Sequence, residues 1–174
     1  MTGDLLIRWT VRFAVACYLL RLMCDLTKPQ WPSVQRAARI WWTSGSFWFL
    51  AHVIAAFHFA YHWSHEAGWA MTARRTYEMT GWNSGVGLIV NELFLAIWLI
   101  DVGLWWRDLN WPRNRAAYWI VQSIFAFLMI QATAVFGPWQ WRFVVPIVIC
   151  GLIAYRLRQS NNSQDCQIRS DATT

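Results

Sequence analysis

Apolar residues occur along the chain in blocks, and short segments rich in arginine, proline and tryptophan separate these blocks. An α-helix rises about 1.5 Å per residue, so a block of about 20 residues can cross a hydrocarbon layer about 30 Å thick. The blocks predict helices at 5–24, 40–66, 82–106, 117–136 and 143–157. The predicted fold class is therefore an all-α integral membrane protein, a bundle of four to five transmembrane helices.

The first block leaves two placements open. It contains Arg8, Arg12 and Arg21, and Asp4, Arg8 and Arg12 follow one another at i, i+4 spacing along one helix face. Such a stripe suits an amphipathic helix that lies in the membrane interface. It also suits a spanning helix whose arginines reach to the surface, and crossing is the preferred interpretation.

The second block is followed by a polar segment that still has helical periodicity. The same helix is therefore predicted to extend from residue 66 as far as residue 79. Arg74 and Glu78 form an i, i+4 pair within this extension, and Gly81 is its predicted end.

Composition agrees with a membrane location. The 174 residues are 57% hydrophobic and only 14% charged, whereas an ordinary soluble domain has about 25% charged residues. Many of the 15 tryptophans stand at block ends, where interfacial belts form. Residues 1–158 are predicted to be a single polytopic membrane domain, and the polar segment 159–174 a disordered cytoplasmic tail.

The positions of the basic residues predict an orientation. The formal net charge is +6, but the arginines flank apolar blocks instead of forming one cluster, so no nucleic-acid partner is expected. Three segments on one predicted side carry most of the positive charge, and they contain Lys28, Arg36 and Arg39, then Arg107, Arg113 and Arg115, then Arg156 and Arg158. This side is predicted to be cytoplasmic in a multi-pass protein of a bacterial inner membrane. The other side, with the end of the second block, then faces outward.

All four histidines lie between positions 52 and 65, at the outward end of the second block. On a continuous helix His58, His62 and His65 share one face, and His52 points about 100° away. Imidazoles at i, i+4 spacing are suitable ligands for zinc, copper or iron, and histidine also binds haem.

Glu92 is the deepest acidic residue of the third block. A count of about 1.5 Å per residue from the cytoplasmic ends places it level with the gap between His52 and His58. An ionisable group at membrane depth is a functional candidate by default. The predicted metal ligands are His58, His62, His65 and Glu92, and the predicted cofactor-binding residues are His52, His58 and Glu92.

The first functional hypothesis is a small inner-membrane protein with a histidine and glutamate site near the outer face that binds a transition metal or haem, or relays protons. In the alternative, the histidines are only interfacial and the chain is a non-catalytic accessory or assembly subunit of a larger membrane complex. A small transporter is the weakest alternative, because the sequence shows no internal repeat.

Enzyme signatures such as HExxH, a P-loop or GxSxG do not occur, and no residue pattern is typical of a characterised family. Whether the chain is an enzyme therefore stays open. The expected partners are the lipid bilayer and either another membrane subunit or further copies of this chain.

Overall fold

The computed structural model describes residues 2–27, 31–108 and 115–130, with the single positions 147 and 151. Every regular element in these ranges is helical, which confirms the all-α prediction. The elements are α1 (Thr2–Thr27), α2 (Pro32–Ala55), a π-helical turn (Ala56–Ala60), α3 (His65–Thr80), α4 (Val86–Arg107) and α5 (Arg115–Ile130). The described residues up to Phe125 form one compact unit. Apart from positions 147 and 151, the predicted helix at 143–157 and the tail at 159–174 lie outside the described residues.

Helices α1 and α2 form an antiparallel hairpin. Trp31 is extended and Pro32 occupies the first turn of α2, a position where proline's missing N–H is tolerated. A Cβ added to Gly3 would lie 2.8 Å from Cγ of Phe59 at one end of the hairpin. Towards the other end the rings of Tyr18 and Trp42 are 6.0 Å apart. The two helices are therefore paired over most of their length.

The core of residues 1–125 is an aromatic cluster centred on Trp42. Its ring centroid lies 4.9 Å from Trp98 of α4 and 4.7 Å from Phe125 of α5. All three side chains are completely buried. Phe49 and Phe94 extend the cluster with an edge-to-face contact at 5.0 Å. Aromatic pairs contribute about 0.5–1.5 kcal/mol beyond the area they bury, so this cluster holds α2, α4 and α5 together.

Two of the described helices are long and apolar enough to cross a membrane. They are Pro32–Ala60, which joins α2 to the π-helical turn, and Val86–Arg107. In the most apolar 18-residue stretch of each helix, only 33% and 22% of the residues, respectively, are buried. Large apolar side chains instead line the exposed surface of both helices, and they include Phe47, Trp48, Ile54, Leu93, Ile97 and Ile100.

The second helix differs from its prediction. It begins at Pro32 instead of 40, and it does not continue to 66, because residues 61–64 form a turn. His62 and Trp63 have φ angles of 50° and 62°, which a right-handed helix does not allow. Ser64 then starts a new helix, since its side chain accepts a hydrogen bond from the backbone N–H of Ala67. His58 and His65 therefore lie on different helices, and the predicted shared face does not form.

The end of α3 follows the prediction. Gly81 has a φ of 76°, the left-handed conformation that commonly ends a helix. Residues 82–85 are not helical, so α4 begins at Val86 instead of 82.

Candidate functional site

Helices α3 and α4 form a second antiparallel hairpin, and two glycines let them approach closely. Gly85, just before α4, lies against the indole of Trp69, and an added Cβ would be only 2.4 Å from Cδ2 of that ring. Gly68 of α3 lies against Leu88 of α4, with 3.2 Å between an added Cβ and Cδ2 of Leu88. This register brings the first residue of α3, His65, to the side of α4.

His65 and Glu92 are in direct contact across this hairpin. Nε2 of His65 and Oε1 of Glu92 are 2.9 Å apart, which is hydrogen-bond distance. The side chains are 63% and 33% exposed, respectively, so the rest of the protein encloses neither of them. Glu92 lies roughly 9 Å along α4 from Val86. The predicted site residues His65 and Glu92 are therefore brought together, although the depth count placed Glu92 beside His52 and His58.

His58 and His62 come shortly before His65 in the sequence, and both side chains are exposed. His58 belongs to the π-helical turn, where its ring contacts Phe59 at 4.6 Å and Trp63 at 6.1 Å. His62 occupies the left-handed turn that follows. Single π-helical turns are rare and occur often at functional sites, which marks this segment as part of the candidate site.

His52 makes its contact elsewhere. Its Nδ1 donates a hydrogen bond of 2.9 Å to the carbonyl oxygen of Ile7 on α1, since a carbonyl oxygen can only accept. This bond leaves Nε2 as the acceptor nitrogen of a neutral ring, the tautomer that metal-binding histidines commonly adopt. His52 thus joins α1 to α2, and no described contact links it to Glu92.

Within residues 2–27, 31–108 and 115–130 no group of three or more His, Cys, Asp or Glu side chains could hold a metal ion. Of the four predicted metal ligands, His65 and Glu92 form a pair. That pair can share a proton or a hydrogen bond.

A second polar cluster was not predicted as a unit. Arg21 is 3% exposed, and its Nη2 lies 3.4 Å from Oδ2 of Asp25. The hydroxyl of Tyr118 on α5 donates a bond of 2.7 Å to the same oxygen. The i, i+4 spacing of Arg21 and Asp25 is visible in the sequence and could have predicted their pairing. The contribution of Tyr118, 93 residues further along the chain, has no such local signal.

Comparison of the chain with protein-family models, with curated proteins and with solved structures gives no match. The class of molecule that the fold defines is an all-helical protein with two candidate membrane-spanning helices and a partly exposed histidine–glutamate pair. Its function has to be argued from these groups.

Proposed function

We propose that this chain is a small multi-pass protein of a bacterial inner membrane that binds and releases protons at His65 and Glu92 near its outer face. The observation that carries the proposal is the 2.9 Å contact between Nε2 of His65 and Oε1 of Glu92. Histidine changes charge in the physiological pH range, and a carboxylate at this distance attracts the imidazolium. Proton uptake at His65 therefore converts a hydrogen bond into an ion pair.

The exposed surface of the helices supports the membrane part of the proposal. Leu93, Ile97 and Ile100 of α4 are 58%, 43% and 62% exposed, and their spacing places them along one helix face. Monomeric soluble proteins rarely expose continuous apolar patches of this kind. In a bilayer the same face contacts lipid chains at no cost.

The pairing of α1 with α2 supports the crossing placement of the first helix. Contacts run from Gly3 beside Phe59 to Tyr18 beside Trp42, so α1 accompanies α2 through most of its length. An interfacial helix would lie across the end of α2. If α2 spans the membrane, α1 therefore spans it as well.

The orientation follows from charge. Arg36, Arg39 and Arg107 lie at the ends of α2 and α4 that are opposite to the His65–Glu92 contact. The positive-inside rule assigns the arginine end and the C-terminal segment to the cytoplasm and the histidine pair to the outer side.

Proton binding can be tested by recording the NMR signals of the imidazole rings through a pH titration in detergent or nanodiscs. Glu92→Gln keeps the shape of the side chain and removes its charge, so the response of the His65 ring signals to pH is expected to differ from that of the original protein. Glu66→Gln is the matched control, because Glu66 is an exposed carboxylate next to His65 in sequence. An unchanged His65 titration in Glu92→Gln would exclude the pair as a proton-binding unit.

The alternative to proton binding is a metal or haem site. Its ligands would come from His65 and Glu92 together with His58, His62 and His52. A lone histidine–carboxylate pair is fewer ligands than a structural or catalytic zinc site uses. Elemental analysis and an absorbance spectrum of gently purified protein test it directly. Metal or haem at one equivalent that falls in both His65→Ala and Glu92→Ala would replace the proton proposal.

A role as an accessory subunit is the second candidate. The exposed aromatic rings at the histidine end favour it, since Trp63 and Trp82 are 65% and 77% exposed. Tryptophan is enriched where proteins bind one another and also at the membrane interface. Co-purification of one partner at fixed stoichiometry, lost in Trp63→Ala, would favour this role. Binding of a second copy of the chain would appear as a dimer that the same substitution dissociates.

A further inference from the structure

Helix α1 exposes a continuous apolar stripe, whose members follow one another at spacings of three, four, three and four residues. Trp9 and Phe13 are 47% and 42% exposed. The alternation of three and four is the pattern by which one helix packs against another at a small crossing angle, in membranes as in coiled coils. Contact with lipid chains requires no such spacing. The stripe, called the α1 stripe below, comprises Leu6, Trp9, Phe13, Ala16 and Leu20.

Aromatic contacts hold the first half of the α1 stripe in place. The ring of Phe13 lies 5.7 Å or less from two others, at 5.7 Å from Trp9 and at 4.8 Å from Trp48 of α2. Trp48 is itself exposed, so the three rings form one surface across the hairpin of α1 and α2. Side chains that are fixed before binding lose little conformational freedom on binding. This surface is therefore prepared for a partner that packs along α1.

Arg12 lies beside the α1 stripe, near the middle of the helix. It is about 15 Å along α1 from Thr2, and a hydrocarbon layer is about 30 Å thick. Its guanidinium carbon lies 5.1 Å from the ring centroid of Trp9. No carboxylate of residues 2–27, 31–108 and 115–130 forms an ion pair with Arg12. An arginine near a helix end can reach the membrane surface, but a charge near the middle of a membrane helix needs a partner.

The charge of Arg12 selects the occupant of the α1 stripe. Lipid chains match the apolar residues, but they offer no group that binds a guanidinium at this depth. A second copy packed stripe to stripe would add another Arg12, while the nearest carboxylate of α1, Asp4, lies about two helical turns away. A helix with an acidic side chain at the depth of Arg12 satisfies both the stripe and the charge.

We propose that the α1 stripe and Arg12 form a docking surface for a transmembrane helix of another protein, with an aspartate or glutamate at the depth of Arg12. Tryptophan and arginine are enriched among the residues that dominate binding at interfaces, which agrees with the pair of Trp9 and Arg12. The inference rests on the proposed crossing of α1. It does not depend on proton binding at His65 and Glu92, which belong to α3 and α4.

Binding of a model helix to the full-length protein in lipid nanodiscs tests the proposal. The probe is a synthetic helix of about 20 leucine and alanine residues with one glutamate at its centre, and energy transfer between dyes on the helix and the protein reports binding. The same helix with glutamine is expected to bind about 10-fold more weakly. Arg12→Gln is expected to lose this preference, whereas Arg8→Gln, the matched control one turn nearer the end of α1, keeps it. A helix with a central lysine should in turn bind Arg12→Glu.

Packing against the α1 stripe is tested separately. Phe13→Ala is expected to weaken binding of the glutamate helix, whereas Phe47→Ala, at an exposed ring of α2 outside the stripe, leaves it unchanged. Equal binding of the glutamate and glutamine helices, or no binding of either, would overturn the proposal and leave lipid chains as the occupant. A dimer of the chain, cross-linked through Ala16→Cys and not dissociated by the glutamate helix, would also overturn it, because a second copy would then cover the stripe.

Labelling at Asp4→Cys separates this inference from the proposed topology. In a background with the native cysteines replaced, an α1 that crosses with its first residues at the outer face exposes this position to a membrane-impermeant thiol reagent in intact cells. If Asp4→Cys reacts there and the model helix does not bind, the docking surface alone is overturned. Reaction only in opened cells overturns the proposed crossing of α1, and the docking surface with it.

Discussion

The indole Nε1 of Trp42 donates a hydrogen bond of 2.8 Å to Oδ2 of Asp101, and this bond ties α2 to α4 at the centre of the aromatic core. The tryptophan that binds this carboxylate is fully buried. A carboxylate that carries negative charge in an apolar helix is stabilised by such a donor.

Removal of this bond is expected to destabilise the fold. Asp101→Leu leaves the buried Nε1 of Trp42 without its partner, and we expect a loss of about 1.5–3 kcal/mol in the free energy of unfolding. Asp101→Asn keeps an accepting oxygen and is expected to cost less. Unfolding in mixed detergent micelles measures both. Equal losses in the two variants would show that the charge of Asp101, and not the bond to Trp42, is what matters.

The close approach of α3 and α4 depends on Gly85. Gly85→Ala would place its Cβ 2.4 Å from the indole of Trp69, so the hairpin has to open, at an expected cost of about 1–3 kcal/mol. The double variant Gly85→Ala with Trp69→Ala should recover part of this loss. Unfolding curves, with hydrogen exchange of α3 as a local readout, measure the effect.

Gly103→Ala is the control for this change. Gly103 lies within α4 with nothing within 4 Å of an added Cβ, so alanine should stabilise the helix by up to about 1 kcal/mol. A destabilised Gly103→Ala would mean that glycine substitutions in this protein act through something other than the contact with Trp69.

The coupling between His65 and Glu92 is expected to be small and to depend on pH. Because both side chains are partly exposed, a double-mutant cycle should give less than about 1 kcal/mol. The coupling should be larger at an acidic pH where the imidazole carries a proton than at an alkaline pH where it does not. His65→Gln and Glu92→Gln, alone and combined, provide the cycle. A coupling that is equal at both pH values would contradict an ion pair that forms on proton uptake.

The orientation can be read from cysteine accessibility. In a background with the native cysteines replaced, Ser33→Cys at the arginine end should react with a membrane-impermeant thiol reagent only after the cells are opened. Asn83→Cys, between α3 and α4, should react in intact cells, because both positions are exposed and lie at opposite ends of the helices. The reverse pattern would invert the proposed topology.

Part of the candidate site could be predicted from the sequence. Histidine and glutamate were identified as its chemistry because ionisable groups are rare in apolar blocks, and His65 and Glu92 are indeed in contact. The prediction that His58 and His65 share one helix face was wrong, because it assumed a continuous helix through residues 61–64. The turn at 61–64 depends on left-handed backbone at His62 and Trp63, a conformation that is uncommon for any residue other than glycine.

The sequence by itself determined the helical class, the presence of α2 and α4 as apolar helices and the end of α3 at Gly81, since hydrophobic periodicity and glycine conformation are local properties. Only the tertiary structure decided that α1 packs along the length of α2 and that Arg21, Trp98 and Phe125 pack around the ring of Trp42. The contact between His65 and Glu92 was decided in the same way. Each of these contacts joins different helices, and their geometry follows from how side chains of different sizes fit together.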